Sequence, residues 1–393
     1  MFDKKEKTES LSTEEWVDDL IIQATQGKVS DIHFDPYEGR FYVRFRADGI
    51  LVPVVDQPIE VYEGISRRLK ILGQLNISEN RKPQDGRGEI VDPVGKKLEF
   101  RISCIPTIFG EAIVIRFIDQ SKSIFESFEA MGMSTEEAET MRFTISRPYG
   151  MVLITGPAGS GKTSTLYTAL NHLRSPEKNI VTLEDPVEFH LEHIRHCQIN
   201  PELGFTFAEG MKSVLRQDPD VIFIGEIRDH ETAEITVRAA LSGRFVLSNI
   251  STSDAAGTIT RFLELGIPRS FLASSLLLAV SKRLLRQNCS QCSKAYTPSQ
   301  KFLIEAGINS LEGINFKKGV GCEKCGGRGY LERIPVFEFF VVTKEIATLI
   351  TEGATAKELM DKAKSGGMKT LRESAISLAV KGLVTLEDAI YVT

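Results

Sequence analysis

The sequence predicts an α/β protein whose central part is a mainly parallel sheet with helices on its faces. Two observations predict the sheet. From Ser146 onward, strand-like runs at 150–155, 179–183, 221–225 and 244–250 alternate with helical stretches such as 163–173, 207–216 and 231–241. The first of these runs, Gly150-Met151-Val152-Leu153-Ile154-Thr155, leads into Gly156-Pro157-Ala158-Gly159-Ser160-Gly161-Lys162-Thr163, and helical residues follow from Ser164. That is the strand, glycine loop and helix order of a phosphate loop, with every defined position of GxxxxGK[ST] filled. A third observation adds a separate module: four of the six cysteines form two CxxC pairs, Cys289/Cys292 and Cys322/Cys325.

The elements follow in chain order. Trp16 to Gly27 has helical periodicity, residues 32–34 and 41–46 read as short strands, and 65–75 reads as a helix. Residues 98–102 and 112–118 read as further strands, which makes the first 119 residues a small α/β domain. Residues 119–129 are polar and acidic with no strong apolar stripe, and a linker is expected over 120–143. The nucleotide-loop core is expected over 144–288, the cysteine module over 289–329 and a helical segment over 330–393. After about Ala255 strands look scarce and helical periodicity dominates, except around the cysteines.

At 393 residues the chain accommodates two or three domains. Its 42% hydrophobic and 26% charged residues are ordinary for a water-soluble globular chain. The net charge of −5 argues against non-specific nucleic-acid binding, which needs a basic surface. No segment approaches the ~20 apolar residues of a membrane span; the best candidate, Phe271 to Val280, ends at Ser281-Lys282-Arg283. The charged start, Met1-Phe2-Asp3-Lys4-Lys5-Glu6-Lys7, lacks the apolar core of a secretory signal, so a cytosolic location is expected.

The loop's glycines let backbone N–H groups turn inward around phosphates, and the helix N-terminus adds its partial positive charge. Gly156, Pro157, Ala158, Gly159, Ser160, Gly161, Lys162, Thr163 and Ser164 form the expected nucleotide-binding set. Lys162 is expected to bridge the β- and γ-phosphates and the Thr163 hydroxyl to ligate Mg²⁺, with ATP as the nucleotide. Val221-Ile222-Phe223-Ile224-Gly225-Glu226 supplies an acid at the C-terminal end of a buried strand, where open α/β sheets bind ligands. Glu226 is the candidate for polarising the attacking water. Leu183-Glu184-Asp185-Pro186-Val187-Glu188 places three carboxylates past another strand: Glu184 and Asp185 join the nucleotide set and Glu188 the catalytic set, a solvated acidic turn being the alternative.

Several longer signatures carry a family resemblance. Glu184-Asp185-Pro186-Val187-Glu188, Leu215-Arg216-Gln217-Asp218-Pro219-Asp220 and Gly225-Glu226-Ile227-Arg228-Asp229-His230-Glu231-Thr232-Ala233 resemble those of the secretion ATPase superfamily, more closely the assembly ATPases of type II secretion and type IV pili. Ser30-Asp31-Ile32-His33, Val43-Arg44-Phe45-Arg46-Ala47-Asp48-Gly49 and Pro83-Gln84-Asp85-Gly86-Arg87 are similar to the family's N-terminal domain, and the paired cysteines with Gly329-Tyr330 to its zinc module. The resemblance covers roughly residues 15 to 393. It implies a RecA-like ATPase core in a homo-hexameric ring, cytoplasmic and peripheral at the inner membrane, driving pilin addition through an inner-membrane platform protein. It also implies two N-terminal-domain arginines that close over the phosphates; by local motif these are Arg101 and Arg116, with Arg216 and Arg228 as further arginines around the site and Lys212 at a third such position. Many relatives carry an additional N-terminal domain that docks on a membrane-anchored cytoplasmic partner, and few residues precede the matching region here.

One stretch departs from the family pattern. Ser242-Gly243-Arg244-Phe245-Val246-Leu247-Ser248-Asn249-Ile250-Ser251-Thr252 replaces both histidines of the family's histidine box with Arg244 and Ser251. Arg244, with a permanent charge and a planar donor fork, is expected to be the stronger surrogate. The loss leaves open a nucleotide-gated structural ring subunit with weak hydrolysis, and a DNA-uptake pseudopilus system is a further alternative. A retraction motor is disfavoured by the cysteine pairs and the 83–87 motif. The four paired cysteines fit tetrahedral thiolate Zn²⁺ with a structural role, while Cys104 and Cys197 read as structural thiols.

Overall fold

The computed structural model describes residues 12–27, 29–47, 49–117 and 124–393. The charged start at 1–7, Asp48, Ile118 and the first part of the expected linker, 119–123, lie outside the described residues. The chain divides into two compact units, Met1–Asp119 with Gly321–Glu332 and Gln120–Val320 with Arg333–Thr393.

The first unit is built on α1 (Thr13–Gln26), β1 (Val29–Tyr37), β2 (Arg40–Ala47), β3 (Ile50–Pro58), α2 (Tyr62–Leu72), β4 (Gln84–Val91), β5 (Lys97–Thr107) and β6 (Gly110–Phe117). Ser12 and Glu15 form a reciprocal capping box that starts α1. The six strands lie in the order β3-β2-β1-β6-β5-β4 with antiparallel pairing throughout. Alternate residues of β2, namely Phe41, Val43, Phe45 and Ala47, are buried, as a one-sided sheet requires. They meet Trp16, Leu20 and Ile21 of α1 and Ile65 and Leu69 of α2 in one core. β3 and β4 were not anticipated: β3 has a mixed burial pattern, and β4 is mostly solvated with glycine at positions 86 and 88. Those glycines are required, because a Cβ at Gly86 would stand 2.1 Å from the Gly73 carbonyl oxygen.

The second unit contains α3 (Thr135–Ile145), β7 (Gly150–Thr155), α4 (Lys162–Leu173), β8 (Ile180–Glu184), β9 (Ile194–Gln198), α5 (Phe207–Val214), β10 (Val221–Ile224), α6 (His230–Leu241) and β11 (Phe245–Ile250). It continues with α7 (Gly257–Glu264), α8 (Arg269–Ser275), β12 (Leu276–Asn288), β13 (Ser293–Ala295), α9 (Gln300–Glu305), β14 (Lys317–Gly319) and, from Arg333 onward, β15 (Tyr330–Val341). Four helices close the chain: α10 (Lys344–Glu352), α11 (Ala356–Ser365), α12 (Leu371–Val380) and α13 (Leu386–Val392). The seven-stranded sheet runs β15-β12-β7-β11-β10-β8-β9. The pairs β12/β7, β7/β11, β11/β10, β10/β8 and β8/β9 are parallel. β7 is buried along its whole length: Met151 and Leu153 enter the core on one face, Val152 and Ile154 the core on the other.

The four predicted core strands are present and the C-terminal segment is mainly helical, with α10 to α13, but the expectation that strands are scarce after about Ala255 is corrected. β12 and β15 are long strands in a region where helical periodicity looked dominant. β12 begins with an almost uninterrupted buried run, and a continuous apolar run does not distinguish a doubly covered strand from a buried helix. The segment 271–280, the best sequence candidate for a membrane span, is shared between α8 and β12. Among the described residues no helix is long and apolar enough to cross a membrane.

Candidate nucleotide site and cysteine cluster

Parallel register brings the C-terminal ends of the core strands to one edge. Leu153, Ser248, Ile224 and Leu183 are paired across β7, β11, β10 and β8. The segments that follow these four residues therefore emerge side by side: the phosphate loop, Asn249 to Thr252, Gly225-Glu226 and Glu184-Asp185.

The loop's glycines adopt backbone angles that other residues avoid, with φ of 144° at Gly156, 75° at Gly159 and 82° at Gly161. A Cβ at Gly156 would also meet the Lys282 carbonyl oxygen at 2.6 Å. Gly161 caps α4 without a side-chain hydrogen bond, which leaves the first-turn N–H groups for an anion. Pro157, Ala158 and Gly159 are exposed, and Thr163 and Ser164 are half-buried in the first turn of α4. Ser160 is buried, and its Oγ has no hydrogen-bond partner among the described residues. These features fit a bound phosphate chain. The Lys162 ammonium lies against the loop, donating to the carbonyls of Gly156 (2.7 Å) and Pro157 (3.1 Å). Burial lowers its pKa, Glu226 opposes that shift and Arg283 adds to it.

Glu226 follows β10, and its carboxylate is only partly exposed, paired with the guanidinium of Arg228. Its backbone is fixed from β11: Ser248 Oγ donates to the Ile224 carbonyl at 2.8 Å, Asn249 Nδ2 donates to the Gly225 carbonyl, and the Ile227 N–H donates to the Asn249 carbonyl at 3.2 Å. Thr252 is tied to the last residue of β7, since its N–H donates to Thr155 Oγ1 at 2.9 Å and its hydroxyl donates to the Asp254 carbonyl at 2.8 Å.

The two histidine-box replacements sit at opposite ends of β11. Ser251 follows the strand beside Thr252, and its exposed side chain makes no hydrogen bond among the described residues. Arg244 precedes the strand, its carbonyl accepting from the Gly150 N–H and its Nη1 donating to the Ser242 carbonyl at 2.7 Å. Six strand residues, about 20 Å, separate it from the loop edge. The expectation that Arg244 is the stronger surrogate is corrected: within one chain it cannot reach the nucleotide loop.

The acidic turn divides as well. Asp185 is exposed and Glu188 half-buried, whereas the Glu184 carboxylate points into the interior. It accepts from Tyr167 Oη, from Thr182 Oγ1 at 2.6 Å and from His196 Nδ1 at 3.0 Å. The Leu191 N–H donates to His196 Nε2 at 3.1 Å, so the ring proton sits on Nδ1. Glu184 thereby joins α4, β8 and β9. Arg216 is exposed and bonded to the Lys212 carbonyl (2.8 Å) and Ser213 Oγ (3.2 Å), and Lys212 itself bridges Glu209 and Glu231.

In the first unit, Arg101 and Arg116 are register partners on β5 and β6, within a cross-strand row of Arg87, Arg101, Arg116, Asp31 and Arg46. Asp31 is 3% exposed and accepts from Arg116 Nε at 2.7 Å, while the Arg116 side chain remains largely solvent-facing.

The sulfurs of Cys289, Cys292, Cys322 and Cys325 lie within 4.8 Å of one another. Those of Cys322 and Cys325 are 3.7 Å apart, far beyond a disulfide and close to the ~3.8 Å that four thiolates 2.3 Å from a tetrahedral zinc would show. The N–H groups of Cys322 and Gly329 each donate to Cys325 Sγ at 3.2 Å. The donor set is compatible with zinc. Cys104, by contrast, is buried in the first unit's core, and burial pushes its thiol up to about 12. Cys197 is half-buried on β9 and also raised by burial, so both behave as structural thiols.

Two residues of the site escaped the sequence reading. Lys282 and Arg283 looked like the polar end of an apolar run, yet parallel pairing of Ser281 with Thr155 sets them beside the phosphate loop. Lys282 Nζ donates to the Gly161 carbonyl, and Arg283 Nη2 donates to the Ser253 carbonyl. Only the strand order carries that signal.

The family model described as "Type II/IV secretion system protein" matches residues 6–391. The chain is 42% identical over 374 residues to a type IV pilus assembly ATPase PilB of Myxococcus xanthus, covering 94% of this chain and 66% of that protein. It is 38% identical over 377 residues to the type II secretion system protein E of Xanthomonas campestris pv. campestris, covering 95% and 66%. The chain thus spans just under two thirds of the length of these relatives. Among solved structures, the Legionella pneumophila ATPase DotB matches at TM-score 0.72 with 17% identity over 99% of this chain and 97% of that one. The pilus retraction motor PilT with bound ADP matches at 0.62 with 24% identity over 95% and 96%; at these identities both report the fold alone. On the match along almost its whole length, this chain belongs to the type II/IV secretion system protein family.

Proposed function

We propose that the chain binds and hydrolyses ATP as the motor subunit of a type IV pilus or type II secretion pseudopilus assembly system. The observation that carries this reading is the convergence, on one sheet edge, of an intact phosphate loop with Lys162 and a carboxylate, Glu226, that acts electrostatically on that lysine. The names of the relatives, a pilus assembly ATPase and a type II secretion protein E, support the cellular process.

In this reading the loop N–H groups and the first turn of α4 hold the phosphates, and Lys162 leaves the loop carbonyls for the β- and γ-phosphoryl oxygens. Thr163 would hold Mg²⁺, which when bound neutralises charge on those oxygens. Glu226 orients the attacking water and accepts its proton, released from Arg228 as the site fills. Asp185 and Glu188 line the neighbouring turn. Arg101 and Arg116 are proposed to stabilise charge spreading over the γ-phosphoryl group, a role suited to guanidinium forks, and buried Asp31 holds that of Arg116. The four cysteines would hold a structural Zn²⁺ that fixes their two turns. A homo-hexameric ring, a membrane platform protein and a cytoplasmic position at the inner membrane complete the proposal.

Ser251 favours a second reading, a nucleotide-gated ring subunit with weak hydrolysis, because this position offers no imidazole and its hydroxyl engages no described partner. Phosphate release by the purified chain, measured together with its solution mass, separates the two. Sustained turnover by a ring of six supports the motor; a folded ring that binds ATP without turning it over supports the gated subunit.

A further inference from the structure

Lys282 is a lysine buried behind the phosphate loop with no counter-ion among the described residues. It is 3% exposed on β12, one residue past the Ser281–Thr155 pair. Its Nζ donates to the Gly161 carbonyl at 3.2 Å and to Thr165 Oγ1 at 3.1 Å, and lies 5.3 Å from the centre of the Phe337 ring. Two of the ammonium's three N–H groups are therefore spent on the turn that joins the loop to α4, and an aromatic face lies beside it. A Cβ at Gly161 would stand 3.0 Å from it, a tight contact at a position whose φ of 82° already favours glycine.

No carboxylate pairs with Lys282 among the described residues. The charged group that acts on it from a neighbouring strand has its own sign, Arg333 of β15, and Arg283 follows it on its own strand. The carboxylates in this neighbourhood act on other cations, Glu226 on Lys162 and Glu338 and Asp254 on Arg283. Burial first, and then Arg333, lower the Lys282 ammonium to about 8. A buried, uncompensated charge is costly unless something answers it. The neighbouring acceptors do not need it. Thr165 already satisfies the Gly161 carbonyl through its own N–H (3.3 Å) and Oγ1 (3.1 Å). What the position lacks is negative charge, and a di- or triphosphate on the loop supplies several.

We propose that Lys282 is a positioning residue of the nucleotide site: it clamps the Gly161–Thr165 turn from behind and carries a positive charge that is compensated only when the nucleotide's phosphates occupy the loop. The proposal rests on the nucleotide-binding reading above. It has a linkage consequence. Phosphates raise the affinity of Lys282 for its proton, so above pH 8 binding must draw a proton from solution, and nucleotide affinity falls as pH rises through that range.

The test uses the full chain and ADP as the probe. In the wild type, ADP affinity should fall about tenfold between pH 7.5 and 9.5, and calorimetry in two buffers of different ionisation enthalpy should show proton uptake at pH 8.5. Lys282→Met should weaken ADP binding about tenfold at pH 7.5, remove the Lys282 share of the pH dependence and leave the melting temperature equal or higher. Lys282→Gln keeps a donor for Gly161 without the charge and should lose the same pH dependence, so a folding failure of the first variant does not remove the test. Wild-type affinity that is flat across this range without proton uptake, or variants that keep the wild-type profile, overturns the proposal. Failure of the nucleotide-site reading is a different outcome: no ADP binding by the wild type, or undiminished binding by Lys162→Ala.

Discussion

At the residue scale, the proposed site separates groups placed to meet phosphate from groups that hold them in position. Lys162 rests on two loop carbonyls, a contact easily exchanged for phosphoryl oxygens. Lys162→Ala should lower ATP turnover about 100-fold or more in a chain that still folds, which phosphate release beside a thermal melt would show. The altered histidine box gives a prediction that differs from the sequence expectation. Arg244→Ala should leave turnover within about twofold, because the residue sits at the far end of β11. Thr252→Val should cost about tenfold, because it removes the hydroxyl's hydrogen bonds with Thr155 Oγ1 at the end of β7 and with the Asp254 carbonyl. Steady-state rates of the two variants check this, and a larger loss from Arg244→Ala would contradict it. Lys282 carries a stability prediction of its own. Its folded pKa of about 8 lies below the usual lysine value, so the unfolded chain binds more protons between pH 8 and about 10.5. The nucleotide-free protein therefore gains stability as pH rises through that window. The cost is fully present at pH 7, where Lys282→Met should stabilise the chain by on the order of 1–3 kcal/mol in urea titration.

At the element scale, what the sequence revealed depended on how strongly local pattern constrained each segment. β7, β10 and β11 were legible because each is a short apolar run ending at glycine or polar residues, followed by a helix with a clear face. β12 was not, because its partner lies far away in sequence and an apolar run covered on both faces has no period to read, and β15 was not, because charged residues interrupt it and its first half is only partly buried. Placing Lys282 beside the loop needed the β12–β7 pairing, so its role was hidden for the same reason. The interior direction of Glu184 was likewise unreadable: the acidic turn gave no sign that Tyr167 and His196 would claim this carboxylate. The cysteine spacing, by contrast, announced its cluster directly. Protein purified without chelator should contain one Zn²⁺ per chain by elemental analysis. Cys322→Ser should lose it and expose residues 286–330 to protease while ATP binding persists. A folded wild-type chain without zinc would contradict the assignment.

At the scale of the whole molecule, the fold brings the glycine loop, Glu226 and the end of β11 to one sheet edge, and strand register alone sets their alignment. The family and the α/β class were legible because long motifs cover most of the chain. The division of labour within the site was not, because hydrogen bonds between neighbouring strands decide it. The central claim is that this edge hydrolyses ATP with Glu226 as the group that activates water. ATP affinity and steady-state phosphate release, measured side by side on the wild type and Glu226→Gln, test it most directly. The amide keeps the shape and loses the charge, so affinity should stay within about threefold while turnover falls roughly 100- to 1,000-fold. Wild-type turnover in Glu226→Gln, or a loss of binding that accounts for the whole loss of rate, would contradict the claim.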